Sequence, residues 1–416
     1  MSIGFSFSGR IDNADELIQN ARNMAGELGY GLGVGDNGMR CVLCPMGGDL
    51  YFRWQSDGQG LRVEGDCQST PAGPGFHKAA IEFTEKLMIM ANAADFSLQD
   101  ETDYYSHRDF NRMKQEHFYS WLDNIIDLCR RQHGEVSSLR LCWDMDSYCP
   151  EDVPDTIVTP MGRFTILEIE DIVSRQGIEA FADMFFLWNS PNADAAFYRN
   201  RAVNALWELC WFAPSSRSEY DKHINSGIVD DVERAYMLEP TLPLPVEEYM
   251  EICVLDGRTP IIPTDTPSLK YSFPVGFRKS PVSYEYGRLQ ITLPGKYQYE
   301  REEYENGGGT DLWWDASTDS PIWRINGYTI NNGTADFTPH INGLNDLEDI
   351  EFRNGKARFG WTQFEEDGDI CYQMQCQAVT GQSLFLITVT YTAAEQRAEI
   401  TELLKKLTAA PEVNER

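Results

Sequence analysis

Apolar residues recur along this chain with two different periods, and the change of period marks out its elements. Ile3, Phe5 and Phe7 alternate with small polar residues, which predicts a half-buried strand. Leu17, Ile18, Ala21, Met24, Ala25 and Leu28 then follow at helical spacing, with Asp12 as N-cap and Gly29 as the stop. Two further strands, at 50–54 and 61–67, flank an Asp57-Gly58 turn. The loop at 69–75 leads into a helix carrying Ala79, Ile81, Phe83 and Leu87. The strongest helical stripe is Phe110, Met113, Phe118, Trp121, Leu122, Ile125 and Cys129. Residues 139–143 after it read as a buried strand.

From about 166 to 238 the pattern is helical, with aromatic clusters at Phe181, Phe185, Phe186 and Trp188 and at Trp207 and Trp211. So much aromatic surface requires burial. Prolines then recur from Pro240 to Pro281, and proline resists regular structure, so this stretch reads as a linker or wrapping segment. Beyond it, Asn354-Gly355 signals a type I′ hairpin and Asp367-Gly368 a second one. Strands are predicted at 356–364, 370–379 and 384–391. In the middle strand Ile370, Tyr372, Met374, Cys376 and Ala378 share one face, while Cys371, Gln373 and Gln375 share the other. Thr392 and Glu395 have capping-box spacing before a helix carrying Ile400, Leu403, Leu404 and Leu407. The predicted class is α+β. It comprises a mixed α/β domain at 1–165, a helical segment at 166–255, a proline-rich linker at 256–280 and an antiparallel sandwich closed by a terminal helix at 281–410.

Residues 382–391, the last strand, and the helix at 395–407 resemble their counterparts in the PsbP-like fold. The resemblance spans about 289–407 and is one of fold pattern. It implies a binding or assembly module without a shared active site, and carries no catalytic residue over. The pieces Ala72-Gly73-Pro74-Gly75-Phe76-His77 and His107-Arg108-Asp109-Phe110 resemble those of a bacterial two-domain family of no assigned activity.

Charge narrows the function classes. The 416 residues hold 65 Asp plus Glu against 35 Lys plus Arg, a net charge of −30. Such a surplus repels nucleic acid and anionic membranes and attracts basic partners. The first residues lack the basic and apolar regions of a signal peptide, and no run of about 18 apolar residues could span a bilayer. A cytoplasmic protein is expected. Ten cysteines, most of them among apolar neighbours, fit a reducing compartment.

Candidate chemistry is sparse. Cys41 and Cys44 form a lone CxxC; three apart on a strand, they are expected on opposite faces and unable to share a metal. Asp144 and Asp146 follow an apolar strand, and such a pair can hold Mg²⁺ for phosphoryl or glycosyl transfer, though a solvated strand end explains it as well. Asp230 and Asp231 read as helix caps. Gly73-Pro74-Gly75 could offer amides to an anion, or form a tight turn. His77 begins a helix beside that loop and is the histidine best placed for acid–base work; His107 reads as part of a helix entry and His117 as a partly buried core residue. No GxSxG elbow frames a serine nucleophile, so no Ser-His-Asp set is expected. Glu300, Glu302, Glu303 and Glu305, with Trp313 and Trp314 nearby, could dock a basic protein; solvated carboxylates and core tryptophans are the simpler use.

The expectation is a non-enzymatic, acidic protein-binding protein without cofactor or metal, of the kind that serves as immunity protein or adaptor against a basic effector. The alternative is a Mg-dependent transferase using Asp144 and Asp146, with His77.

Overall fold

The computed structural model describes residues 2–44, 48–58, 60–70, 72–131, 138–140, 149–150, 153–304, 308–315, 320–330, 333–366 and 368–410. The chain forms two compact units, Met1–Asp144 with Val153–Gly276, and Met145–Asp152 with Phe277–Arg416. Both helices and antiparallel sheets build it, and the fold is α+β.

In the first unit, β1 (Gly4–Ile11), α1 (Ala14–Leu28), β2 (Gly31–Gly35), β3 (Gly38–Cys44), β4 (Gly48–Ser56), β5 (Leu61–Gln68), α2 (Pro74–Met90) and β6 (Ala94–Asp100) follow in order. The strands make one antiparallel sheet in the order β2-β3-β4-β5-β1-β6. Leu17, Ala21 and Met24 of α1 and Phe76, Ala80 and Leu87 of α2 share a core with Phe5, Phe52 and Val63 of the sheet. The opposite sheet surface carries Ser6, Arg53, Glu64 and Gln99 in solvent. Alternation along each strand produces this split: one parity is apolar, the other polar.

Several local expectations are corrected. Asn13, not Asp12, caps α1, accepting from the Asp15 amide at 2.8 Å. The register of β3 slips between Val42 and Cys44, which lets Cys41 and Cys44 both face the core despite their odd spacing. Gly73 has φ +98°, and a Cβ there would meet Phe186 and the Trp188 carbonyl at 2.7 Å. The Gly75 amide donates to that Trp188 carbonyl and the Gly73 amide to Ser69. The Gly-Pro-Gly loop is therefore a packed turn with those amides already used.

The next helical run is α3 (Tyr104–His107), then α4 (Phe110–Met113), a π-helical turn at Lys114–Tyr119, and α5 (Ser120–Arg131). Its buried residues explain the π-turn. Met113 and Phe118 are five apart, whereas Phe118, Leu122, Ile126 and Cys129 keep α spacing. A wider turn brings the five-residue step onto one face.

Strands β7 (Ser138–Arg140), β9 (Thr156–Thr159) and β10 (Gly162–Thr165) form a small sheet, with β7 parallel to β9. Helices α6 (Ile166–Gln176), α7 (Ile178–Phe185), α8 (Ala195–Glu208), α9 (Glu219–Leu238) and α10 (Val246–Asp256) follow. Leu206, Ile228, Val232, Tyr249 and Ile252 build a second core here, and Ile262 and Val275 from the proline-rich stretch complete it. Asp231 lies inside α9 rather than at its start, and takes a bidentate pair from Arg201.

In the second unit, β20 (Thr408–Ala409), β12 (Leu289–Pro294), β11 (Pro281–Tyr286) and β8 (Cys149–Pro150) make a four-stranded sheet in that order. The other sheet has seven antiparallel strands, ordered β13 (Gln298–Glu303), β14 (Gly309–Trp314), β15 (Ile322–Thr329), β19 (Ser383–Tyr391), β18 (Asp369–Thr380), β17 (Gly355–Glu366) and β16 (Asn345–Phe352). Tyr284 meets Trp313 and Tyr286 meets Phe385, so aromatic pairs join the two sheets. The terminal helix α11 (Gln396–Leu404) buries Ile400 and Leu404. It begins later than the Thr392–Glu395 spacing suggested: the Gln396 side chain accepts from the Ala393 amide, and no capping box forms. In the β16–β17 hairpin Phe352 pairs with Gly355, so Arg353 and Asn354 make the turn. Asn354 alone has positive φ, +60°, which excludes the type I′ turn.

Candidate functional site

The densest polar constellation in the first unit surrounds His77. This histidine sits in the first turn of α2, fixed there by Pro74 at N1 and the Gly73 turn. Its Nδ1 lies 2.8 Å from Ser69 Oγ, just past β5. Its Nε2 lies 3.0 Å from Asp100 Oδ1, at the end of β6, and 3.1 Å from Thr102 Oγ1. Phe5 and Phe118 hold the ring edge-on, with centroids 5.6 and 5.8 Å away. Three strand and helix ends thus converge on one imidazole.

Asp100 collects four donors. Besides His77, it accepts from Thr102 N and Oγ1 at 2.8 Å and from the Tyr105 amide at 2.8 Å. Burial pushes its pKa up, but the His77 hydrogen bond and charge, with those amides, override it and hold the carboxyl at about 2. With Asp100 ionised, the Nε2–H of His77 donates to it, and Nδ1 faces the Ser69 hydroxyl.

Serine, histidine and aspartate in this order can activate a hydroxyl for acyl transfer. That chemistry needs a carbonyl carbon within reach of the oxygen. Ser69 and His77 are 0% exposed and the Asp100 side chain 3%, so a substrate has no approach to the hydroxyl. Closed to solvent, the set ties β5, α2 and β6 together. Sequence reasoning singled out His77 but missed its partners. Ser69 lies eight residues before it and Asp100 twenty-three after, and pairing β5 and β6 with β1 is what brings them together.

The cysteines of the first sheet are poorly suited to nucleophilic chemistry. Burial pushes the Cys41 and Cys44 thiols up to about 12 and Cys67 higher still. Among the described residues no group of His, Cys, Asp and Glu could hold a metal ion. Asp144 and Asp146 lie outside the described residues.

His107 is exposed, with Nδ1 3.2 Å from the Asp103 carbonyl, as a helix-entry residue. His117 is half-buried in the π-turn and lines a surface cavity rather than the core.

The acidic runs of the second unit fall on the two edges of the seven-stranded sheet. β13 carries Glu300, Glu302 and Glu303, all exposed; β16 carries Asp346, Glu348, Asp349 and Glu351. Their environments differ. On β16, Asp349 pairs with Arg358, Glu348 with Lys405, and Asp346 accepts from Trp361 Nε1. On β13, Arg301 is paired with Asp311 at 2.9 Å, and that aspartate also accepts from Tyr299 Oη at 2.6 Å. Among the described residues, Glu300, Glu302 and Glu303 have no cation partner. Trp313 is 2% exposed, between Tyr284 and Tyr299, so it belongs to the core and has no ring to offer a partner. Trp314 is half-buried, and Glu305 lies outside the described residues.

No family model matches the chain, and no curated protein matches it. Among solved structures, a protein from Bacteroides thetaiotaomicron VPI-5482 is similar to 30% of this chain at 16% identity, with a TM-score of 0.24. The alignment spans 46% of that protein, under half its length. LpqN of Mycobacterium tuberculosis, described as involved in cell envelope biogenesis, is similar over 32% of this chain and 90% of its own, at 12% identity and a TM-score of 0.22. Among the described residues, no helix is long and apolar enough to cross a membrane.

Proposed function

We propose that this chain is a non-enzymatic binding protein for a basic protein partner, and that the β13 edge is where they meet. One observation carries the reading: among the described residues, three exposed glutamates without cation partners stand on a strand whose outer backbone edge has no pairing strand. An extended basic segment complements both features, since it can add main-chain hydrogen bonds while its cations meet Glu300, Glu302 and Glu303. An immunity or adaptor protein that neutralises a basic effector works in this way, needing an anionic surface and no chemistry of its own. A second unit of PsbP-like type, a binding module, agrees with this role. The burial of the Ser69–His77–Asp100 set supports it too. Cys41, Cys44, Cys67, Cys129, Cys210, Cys253, Cys371 and Cys376 are buried free thiols, which suits a cytoplasmic location.

Pull-down from native-host lysate at low and high salt, with wild type beside the combined Glu300→Lys, Glu302→Lys and Glu303→Lys variant, tests the proposal. It expects a basic partner retained at low salt, released at high salt and lost in the variant. A partner held equally by both proteins would refute it.

A further inference from the structure

The π-turn at Lys114–Tyr119 has a second consequence, separate from the acidic edge. It sets Glu116, His117, Trp121 and Asn124 along one flank of the helix, where they line a surface cavity of about 640 Å³. Ile3 and Glu101 are among the residues that complete its wall. That volume suits a small organic molecule.

The lining specifies the chemistry. Ile3 and the Trp121 indole supply apolar and aromatic surface, and Trp121 is braced from behind by Phe185 and Phe186, at ring distances of 5.7 and 6.4 Å. Two carboxylates share the same wall, and among the described residues the lining contains neither lysine nor arginine. Glu101 is oriented by the Gly4 amide, which donates to its Oε2 at 2.8 Å. Glu116 is oriented by Arg112 Nε at 2.9 Å, from one turn back along the helix. Both glutamates are exposed, so their outer oxygens can reach a ligand. An aromatic face beside held carboxylates favours a cation with an apolar body, through cation–π attraction and charge-assisted hydrogen bonds together. An anion of the same shape would meet two carboxylates, and Arg112 beside them is already engaged by Glu116.

We propose that this cavity binds a small organic amine: its ammonium group against Glu101 and Glu116, and its aromatic or aliphatic body on Trp121. The π-turn is the device that makes the site. Relative to Met113, a regular α-helix would have carried Phe118, and Trp121 after it, to another angle around the axis, and Phe118 is committed to the core beneath.

Isothermal titration of the full chain with phenethylamine, tryptamine and benzyltrimethylammonium tests this, with phenylacetate and 2-phenylethanol as the anion and neutral molecule of matching shape. At least one amine is expected to bind saturably at a single site, and phenylacetate not at all. The combined Glu101→Gln and Glu116→Gln variant should bind that amine about tenfold more weakly, and Asn124→Trp, which fills the cavity, should abolish binding. Circular dichroism melts verify that both variants fold; the substituted side chains are exposed. Failure of all three amines to bind, equal affinity for phenylacetate, or unchanged affinity in either variant would overturn the proposal.

Discussion

At the residue scale, Asp100 shows how a buried carboxylate can hold several chain segments in place. Its folded pKa of about 2 lies below the value near 3.9 of an unfolded aspartate. The unfolded chain therefore takes up the proton first as pH falls. The stabilisation is complete above about pH 4 and is lost as pH drops through about 2, and it amounts to about 2 kcal/mol. Asp100→Asn should cost about 2 kcal/mol in urea unfolding at neutral pH and should flatten the stability profile between about pH 4 and 2. A profile as steep as wild type would show that another carboxylate governs acid sensitivity. Gly65 is a second decisive position. A Cβ there would sit 2.2 Å from the Phe7 ring and 2.2 Å from the Tyr51 carbonyl, and the backbone carbonyl leaves little room for relief. Gly65→Ala should destabilise by about 1–3 kcal/mol through overpacking, measured by the shift of the urea midpoint. An unchanged midpoint would mean that the Phe7 ring swings away freely. Neither position was legible from the sequence. Asp100 ends a strand that had not been recognised, and Gly65 gains its meaning only from the Phe7 ring paired across it.

At the element scale, sequence patterns served where alternation was strict. The predicted strands at 356–364, 370–379 and 384–391 correspond to β17, β18 and β19, because turn signals bound them and period-two patterning runs through them. Reasoning from ideal periods failed where the chain departs from them. The slipped register of β3 undid the parity argument for Cys41 and Cys44. The five-residue step from Met113 to Phe118 was visible in the sequence, but was read as part of an ordinary stripe. At the β16–β17 hairpin the turn sits one residue earlier than the Asn-Gly pair implied, which leaves Asn354 in the left-handed region at φ +60°. Asparagine tolerates that conformation and glycine adopts it freely. Asn354→Ala should cost about 1 kcal/mol and Asn354→Gly close to nothing, by chemical denaturation. Equal losses would point to the Asn354 side chain rather than its backbone.

At the scale of the whole molecule, the large negative charge was plain from composition, but that two of its acidic runs lie on the opposite edges of one sheet required the strand order. Edge strands are open to pairing with other chains, and charged side chains restrain this. Guarding and docking make different demands on β13. A guard needs charge of either sign; a docking surface for a basic partner needs negative charge. Replacing Glu300, Glu302 and Glu303 by valine should therefore cause self-association, visible by sedimentation, whereas replacing them by lysine should leave the chain monodisperse. All three are exposed, so lysine should alter stability by less than about 0.5 kcal/mol.

Sign dependence gives the most direct trial. The partner captured on wild type would be purified, and its association with wild type and with the triple lysine variant followed by biolayer interferometry across a salt series. Wild-type affinity should fall steeply with added salt, and the variant should show no binding at any salt concentration while remaining folded. Retained, salt-insensitive binding by the lysine variant would contradict the assignment of β13 as the docking edge.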